Sequence, residues 1–304
     1  MSRRPVRTPY WLYAVLACLL VLLIVVVLLP SDGVREESGG QLPVKSSDEH
    51  DKEQSRVVYE EFHKAPARPS SKPLPTPSTN RAGIALIMDD VGYDLDALRR
   101  VLELPFRVAI SILPDAPYAV QAAEMAHEAG SIVMLHLPME PSNPKYRARM
   151  DDSFLKTGMN EVQVHERFRQ ALEQVPYVTG VNNHMGSLLT TLEEPMRWVM
   201  EVCKEKSLFF VDSKTSRDSV AATVAEKRGI PWASRRVFLD HTVEDEDLRL
   251  AWESAMRCAK RKGSCIVIAH PHAETLNFLE QQVIEGDRSL IQPLTTLLHS
   301  GGAS

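Results

Sequence analysis

From residue 83 onward the chain alternates between short apolar runs and longer stretches in which apolar residues recur every three or four positions. The runs Gly83–Met88, Arg107–Leu113, Ser131–Leu135, Val178–Val181, Leu208–Val211, Trp232–Val237 and Cys265–Ala269 read as strands. Between them, Asp94–Leu102, Pro117–Ala129, Glu161–Gln174, Glu193–Lys206, Ser219–Lys227 and Glu244–Lys262 read as helices, with a last helix over Ala273–Ile284. Asn160 followed by Gln163 predicts a capping box. Gly130, Gly229 and Gly263 fall just past three helices, where left-handed C′ glycines belong. Strands that are apolar nearly throughout, each followed by a helix, are parallel and covered on the outside. Seven such units in residues 81–304 predict an α/β fold, a (β/α)7 barrel that is complete or slightly open. A doubly wound open sheet is the alternative.

The N-terminal pattern is different. Trp11 to Leu29 is an uninterrupted apolar run between Pro9 and Pro30. Nineteen residues at about 1.5 Å each span roughly 28 Å, close to the hydrocarbon thickness of a bilayer. Arg3, Arg4 and Arg7 precede the run, and this excess of positive charge predicts that residues 1–10 are cytoplasmic. The run exceeds the apolar core of a cleaved signal peptide and lacks an A-x-A end. It also continues well past Cys18, which argues against a lipoprotein signal. One transmembrane signal anchor over 11–29 in the inner (cytoplasmic) membrane is therefore expected, with the folded domain in the periplasm or outside. Residues 30–80 mix charges with Ser and end in a segment carrying Pro66, Pro69, Pro73, Pro75 and Pro77. Such a composition predicts a disordered, extended linker.

Charge and cysteine content narrow the picture. A formal net charge of −5 gives no sign of nucleic-acid binding. Cys203, Cys258 and Cys265 are too few for a disulfide framework, and buried thiols are expected. Neither G-x-G-x-x-G nor G-x-x-x-x-G-K-[ST] occurs, so no nucleotide loop is supported.

The candidate chemistry lies where the strands end. In order, these ends carry Asp89-Asp90, Asp115, His136 with Glu140, Asn182-Asn183-His184, Asp212-Ser213-Lys214, Ser234-Arg235-Arg236 with Asp240-His241, and His270-Pro271-His272. In a parallel barrel these ends converge on one mouth, where active sites sit. Any single Asp could cap a helix and any single His could be structural. Their coincidence on most strands predicts a shared pocket. Imidazole and carboxylate together suit a divalent ion of the zinc type. A carboxylate off the metal could serve as general base and a further His as general acid.

Five segments together resemble the divergent polysaccharide deacetylase family, a branch of the NodB-type carbohydrate esterases. They are Ile-Met-Asp-Asp-Val-Gly at 87–92, Leu-His-Leu-Pro-Met-Glu-Pro at 135–141, Asn-Asn-His-Met-Gly-Ser at 182–187, Phe-Val-Asp-Ser at 210–213 and Ala-His-Pro-His at 269–272. The resemblance covers roughly residues 81–300. It implies a deformed (β/α)7 barrel and metal-dependent removal of acetyl groups from a glycan. It also implies that Asp89 is the general base, Asp90 and His136 are metal ligands, and His270 is the acid. The wider superfamily has a second metal His four residues after the first, but this chain has Glu140 there. Either Glu140 or His184 is then the third ligand, and His184 is preferred because imidazole suits zinc and Asn182 and Asn183 can orient it.

The expectation is a membrane-anchored hydrolase dependent on a divalent metal of the zinc type, acting on an acetylated envelope polysaccharide. Two rivals remain: a non-catalytic glycan- or partner-binding envelope protein on the same fold, and a metal hydrolase acting on another amide or on a phosphate ester.

Overall fold

The computed structural model describes residues 83–285 and 290–301. The anchor over 11–29 and the linker over 30–80 lie outside the described residues. Among the described residues, no helix is long and apolar enough to cross a membrane.

Seven parallel strands close into a barrel in sequence order. They are β1 (Gly83–Val91), β2 (Ala109–Ile112), β3 (Val133–Met139), β4 (Gly180–Met185), β5 (Phe209–Asp212), β6 (Trp232–Phe238) and β7 (Ser264–Ala269). Closure runs through β1 and β7, which pair over six positions from Gly83–Ser264 to Met88–Ala269. The open-sheet alternative is excluded by that ladder. Helices α1 (Leu95–Glu103), α2 (Ala119–Glu128), α4 (Glu161–Gln174), α5 (Glu193–Glu205), α6 (Ala221–Lys227), α7 (Asp245–Lys262) and α8 (Ala273–Glu285) follow the strands. A short helix, α3 (Pro144–Arg147), interrupts the connection after β3 and was not anticipated.

Local chemistry explains several boundaries. The Asp94 carboxylate accepts from the amides of Asp96 and Ala97 and starts α1. Asn160 and Gln163 exchange side-chain and backbone hydrogen bonds in the expected capping box of α4. Gly130, Gly229 and Gly263 take left-handed φ values of 69°, 73° and 80° after α2, α6 and α7. Cys203, Cys258 and Cys265 are free thiols, two of them buried.

The apolar strand residues divide by direction, as the two-residue period of a strand requires. One set packs outward against the helices, for example Leu86, Met88, Leu135 and Val267. The other points along the barrel axis and includes Ala85, Ile87, Met134, Phe209, Val211, Ala233, Ile266 and Ile268. Gly180 belongs to the inward series of β4. A Cβ there would lie 2.1 Å from the Phe209 ring, so the missing side chain makes room for that ring. The foot of the barrel is stopped by Leu294, Leu297 and Leu298 from the C-terminal segment. That segment is held by Gln292 N–H donating to Ile84 O at 2.8 Å and by two hydrogen bonds between Trp232 and His299.

Several strands outrun their apolar core. β1 continues to Val91, β3 to Met139 and β4 to Met185, beyond the ends expected from hydrophobicity. Their inward positions change from apolar to polar while the backbone ladder goes on. His136 and Pro138 still pair in register with Asn182 and His184. Gly180→Ala should cost about 1–3 kcal/mol by overpacking, measured as a lowered denaturation midpoint. Adding Phe209→Leu should make the double variant less destabilised than the sum of the single changes.

Candidate metal centre

The inward series on each strand leads into the mouth. Ile87 is followed by Asp89, Met134 by His136, Gly180 by Asn182 and His184, Val211 by Ser213, Ala233 by Arg235, and Ile268 by His270. Strict alternation would turn Asp90 outward, away from Asp89. A register irregularity between Met88 and Val91, with Asp90 at φ 55°, redirects it into the mouth. Such a bulge re-aims a side chain at the cost of local backbone strain.

Asp90, His136 and His184 form a tight triangle. Asp90 Oδ1 lies 3.2 Å from His136 Nε2 and 2.9 Å from His184 Nδ1, and the two nitrogens are 3.2 Å apart. Tetrahedral zinc with ligands at about 2.0–2.1 Å sets donor–donor edges near 3.3 Å. The three donors therefore fit one ion with an open position. Asp90 Oδ1 is also buried with no hydrogen-bond partner, which is costly for a carboxylate oxygen unless a cation meets it.

Glu140 stands elsewhere. Its Oε2 accepts from the amide (2.7 Å) and hydroxyl (2.8 Å) of Thr157, and its Oε1 is 3.6 Å from Arg147. Of the two candidates for the third ligand position, only His184 is in the triangle. Glu140 instead pins the excursion 140–157, which carries Phe154 against the His184 ring at 6.1 Å.

Two groups flank the triangle. Asp89 Oδ1 accepts from Asn182 Nδ2 at 2.8 Å, and Oδ2 lies 3.6 Å from His136 Nε2. On the other side, His270 Nε2 is 3.8 Å from Asp90 Oδ2. Asp240 holds His270 twice: Oδ2 accepts its backbone N–H at 2.6 Å and Oδ1 faces Nδ1 at 3.1 Å. Thr275 Oγ1 donates to the same Asp240 at 2.9 Å. Asp240 carries no motif of its own in the sequence, because its partner His270 is 30 residues away. Arg235 donates to the carbonyls of Ser213 and Lys214 and packs over Phe238. Asp212 is turned away into hydrogen bonds with Lys214 N and Ser219 Oγ.

Burial and charge set the titration of these groups. Burial raises the Asp89 pKa, opposed by the charges of His136 and His270. Burial works the same way on Asp90, but the adjoining His136 and His184 outweigh it and hold the carboxyl far below its ordinary range. Burial would lower His136, yet Asp89 and Asp90 push it up to about 9. His270 is raised, because Asp240 outweighs the burial that would lower it. The triangle thus attracts positive charge, whether protons or a metal ion.

Among the described residues, two other clusters have ligand-like composition. Asp240, His270 and His272 adjoin the same mouth. Glu161, His165 and Glu201 lie at the α4–α5 contact, where Arg197 and Arg228 already neutralise the carboxylates.

The model of divergent polysaccharide deacetylases matches residues 86–297. The chain belongs to that family. Its match to YibQ, an uncharacterized protein of Escherichia coli (strain K12), is 35% identical over 200 residues, covering 66% of this chain and 62% of that protein. An uncharacterized protein of Haemophilus influenzae (strain ATCC 51907 / DSM 11121 / KW20 / Rd) is 34% identical over 197 residues, 65% of this chain and 69% of its own. The chain thus spans less than two thirds of the E. coli relative. The crystal structure of the uncharacterized protein ATU2773 from Agrobacterium tumefaciens C58 shares the fold at 20% identity, with a TM-score of 0.66 over 72% of this chain and 89% of that one.

The titration has a direct consequence for stability. With His136 raised from 6.5 to about 9, its contribution in metal-free protein is complete below about pH 6.5 and disappears as pH rises through 9. Metal binds neutral imidazole, so its affinity rises over the same range. Thermal unfolding of chelator-treated protein should show Tm falling across this interval, while the Tm gain on adding zinc grows.

Proposed function

We propose that this protein is a membrane-anchored, metal-dependent hydrolase that removes acetyl groups from an envelope polysaccharide, with its folded domain in the periplasm. The observation that carries the reading is the Asp90–His136–His184 triangle, flanked by the Asp89 carboxylate on one side and an Asp-held imidazole on the other. A zinc ion held by those three residues would supply a Lewis acid that polarises the acetyl carbonyl and acidifies water. Asp89, kept off the triangle and anchored through Oδ1, takes the proton of the attacking water at Oδ2. Water adds to the carbonyl carbon, the bond to the sugar nitrogen or oxygen breaks, and acetate is released. His270, with Nδ1 engaged by Asp240, gives a proton from Nε2 to the departing amine or alcohol. Burial excludes bulk water from Asp89 and His136, which strengthens each electrostatic contribution.

The apolar run at 11–29 and the proline-rich spacer support placing the pocket at the outer face of the inner membrane. The full-length protein, stripped with chelator, should release no acetate from acetylated glycans, and zinc should restore release. Asp89→Asn and His270→Ala should each lower the rate by about 10²–10⁴-fold while leaving zinc bound. Absence of bound metal together with absence of acetate from every acetylated glycan tried overturns the reading. Glycan binding that survives Asp89→Asn, without any turnover, supports the non-catalytic rival.

A further inference from the structure

Asn182 is fully buried at the centre of the mouth, and all four hydrogen-bonding positions of its side chain are engaged. Its Oδ1 lies 2.5 Å from Ser111 Oγ and 2.9 Å from His136 Nδ1. Its Nδ2 lies 2.8 Å from Asp89 Oδ1 and 3.2 Å from Ser213 Oγ. An Asn amide has two donors and two acceptor sites, so none is left over.

The orientation of that amide follows from chemistry. Asp89 as a carboxylate only accepts, so the amide must present its NH2 to Asp89. The carbonyl then faces His136 and Ser111, and only a nitrogen bearing hydrogen satisfies it. His136 is thereby obliged to carry a proton on Nδ1, so that in the neutral imidazole that binds metal the Nε2 lone pair points at Asp90 and His184. The reversed amide would set a carbonyl against the Asp89 carboxylate, acceptor against acceptor in a buried site.

We infer that Asn182 is a positioning residue that ties the general base to the metal ligand: by donating to Asp89 and accepting from His136, it presents Nε2 of His136 to the ion and anchors Asp89 beside it. The inference rests on the functional reading above. It deepens that reading, because one neutral side chain orients two groups with different tasks. Hydrogen-bond partners of metal-bound imidazoles typically carry 10–100-fold of metal affinity. Asn183, next in sequence, points to the outer side of β4; it donates to Met185 O and accepts from Ser213 N instead.

The test uses the full-length protein, zinc as the probe, competition with a chromophoric chelator, and ¹⁵N-histidine NMR for the imidazole N–H of His136. Wild type should show a slowly exchanging Nδ1–H proton. Asn182→Ala should lose that signal and bind zinc roughly 10–100-fold more weakly. Asn182→Asp keeps the acceptor and removes the donor. It should therefore retain the Nδ1–H signal and near wild-type zinc affinity, while acetate release collapses because Asp89 loses its anchor and meets a like charge. Equal zinc affinity and an unchanged His136 signal in Asn182→Ala overturn the inference while leaving the hydrolase reading intact. Should Asn182→Ala not fold, a loss of zinc affinity of about tenfold or more in Asn182→Asp overturns it equally. A wild type that takes up no zinc overturns this inference, and if it also releases no acetate the functional reading falls with it.

Discussion

A closed barrel gives its inward-facing side chains no access to water except at the mouth, so every polar group placed there has to find its partner among the others. That constraint organises the upper half of this domain. Below it, Ile87, Met134, Phe209, Val211 and Ile268 fill the axis with apolar volume. Above them the same strand positions become Asp89, Ser111, His136, Asn182, Ser213, Arg235 and His270, and the partners are supplied by neighbouring strands. Burial without pairing would cost several kcal/mol for each charged group. The pairing holds almost throughout; Asp90 Oδ1 makes no hydrogen bond and is instead met by two ring nitrogens, at 2.9 and 3.2 Å.

The mouth is therefore built in two electrostatic halves. On the β3–β4 side, a carboxylate and two imidazoles are aimed at one another and favour a shared cation. On the β6–β7 side, Asp240 fixes one imidazole from behind and leaves its far nitrogen free. Asp90 faces both, one oxygen toward each. The register irregularity in β1 makes this possible, because it lets two consecutive residues point into the same space.

Much of the framework was legible in the chain. The seven apolar runs correspond to the seven strands, and the helix caps at Asn160 and the three glycines form where local chemistry demands. Strand ends were less legible. Hydrophobicity falls where β1, β3 and β4 turn polar inside, although the backbone ladder continues, so the runs look shorter than the strands. The convergence of Asp89, Asp90, His136, His184 and His270 could be read from their places at strand ends. The Asp90 bulge could not, since it depends on β1–β2 register. The task of Glu140 was also hidden: its partner Thr157 belongs to a connection with no periodic pattern. The C-terminal stopper of Leu294, Leu297 and Leu298 was missed for the same reason.

The fit of Phe209 against Gly180 has a kinetic meaning. With that ring and its neighbours occupying the axis, and leucines sealing the foot, the pocket is a cul-de-sac. Under the proposed chemistry, the small acid and the bulky sugar chain share one doorway. Acetate formed in the mouth would have to leave by the side from which the polysaccharide approaches, so the polymer would have to shift or depart first. The solid interior would then impose an order on product release, and a chain sliding along the surface would be slowed by one exit step at every residue it surrenders.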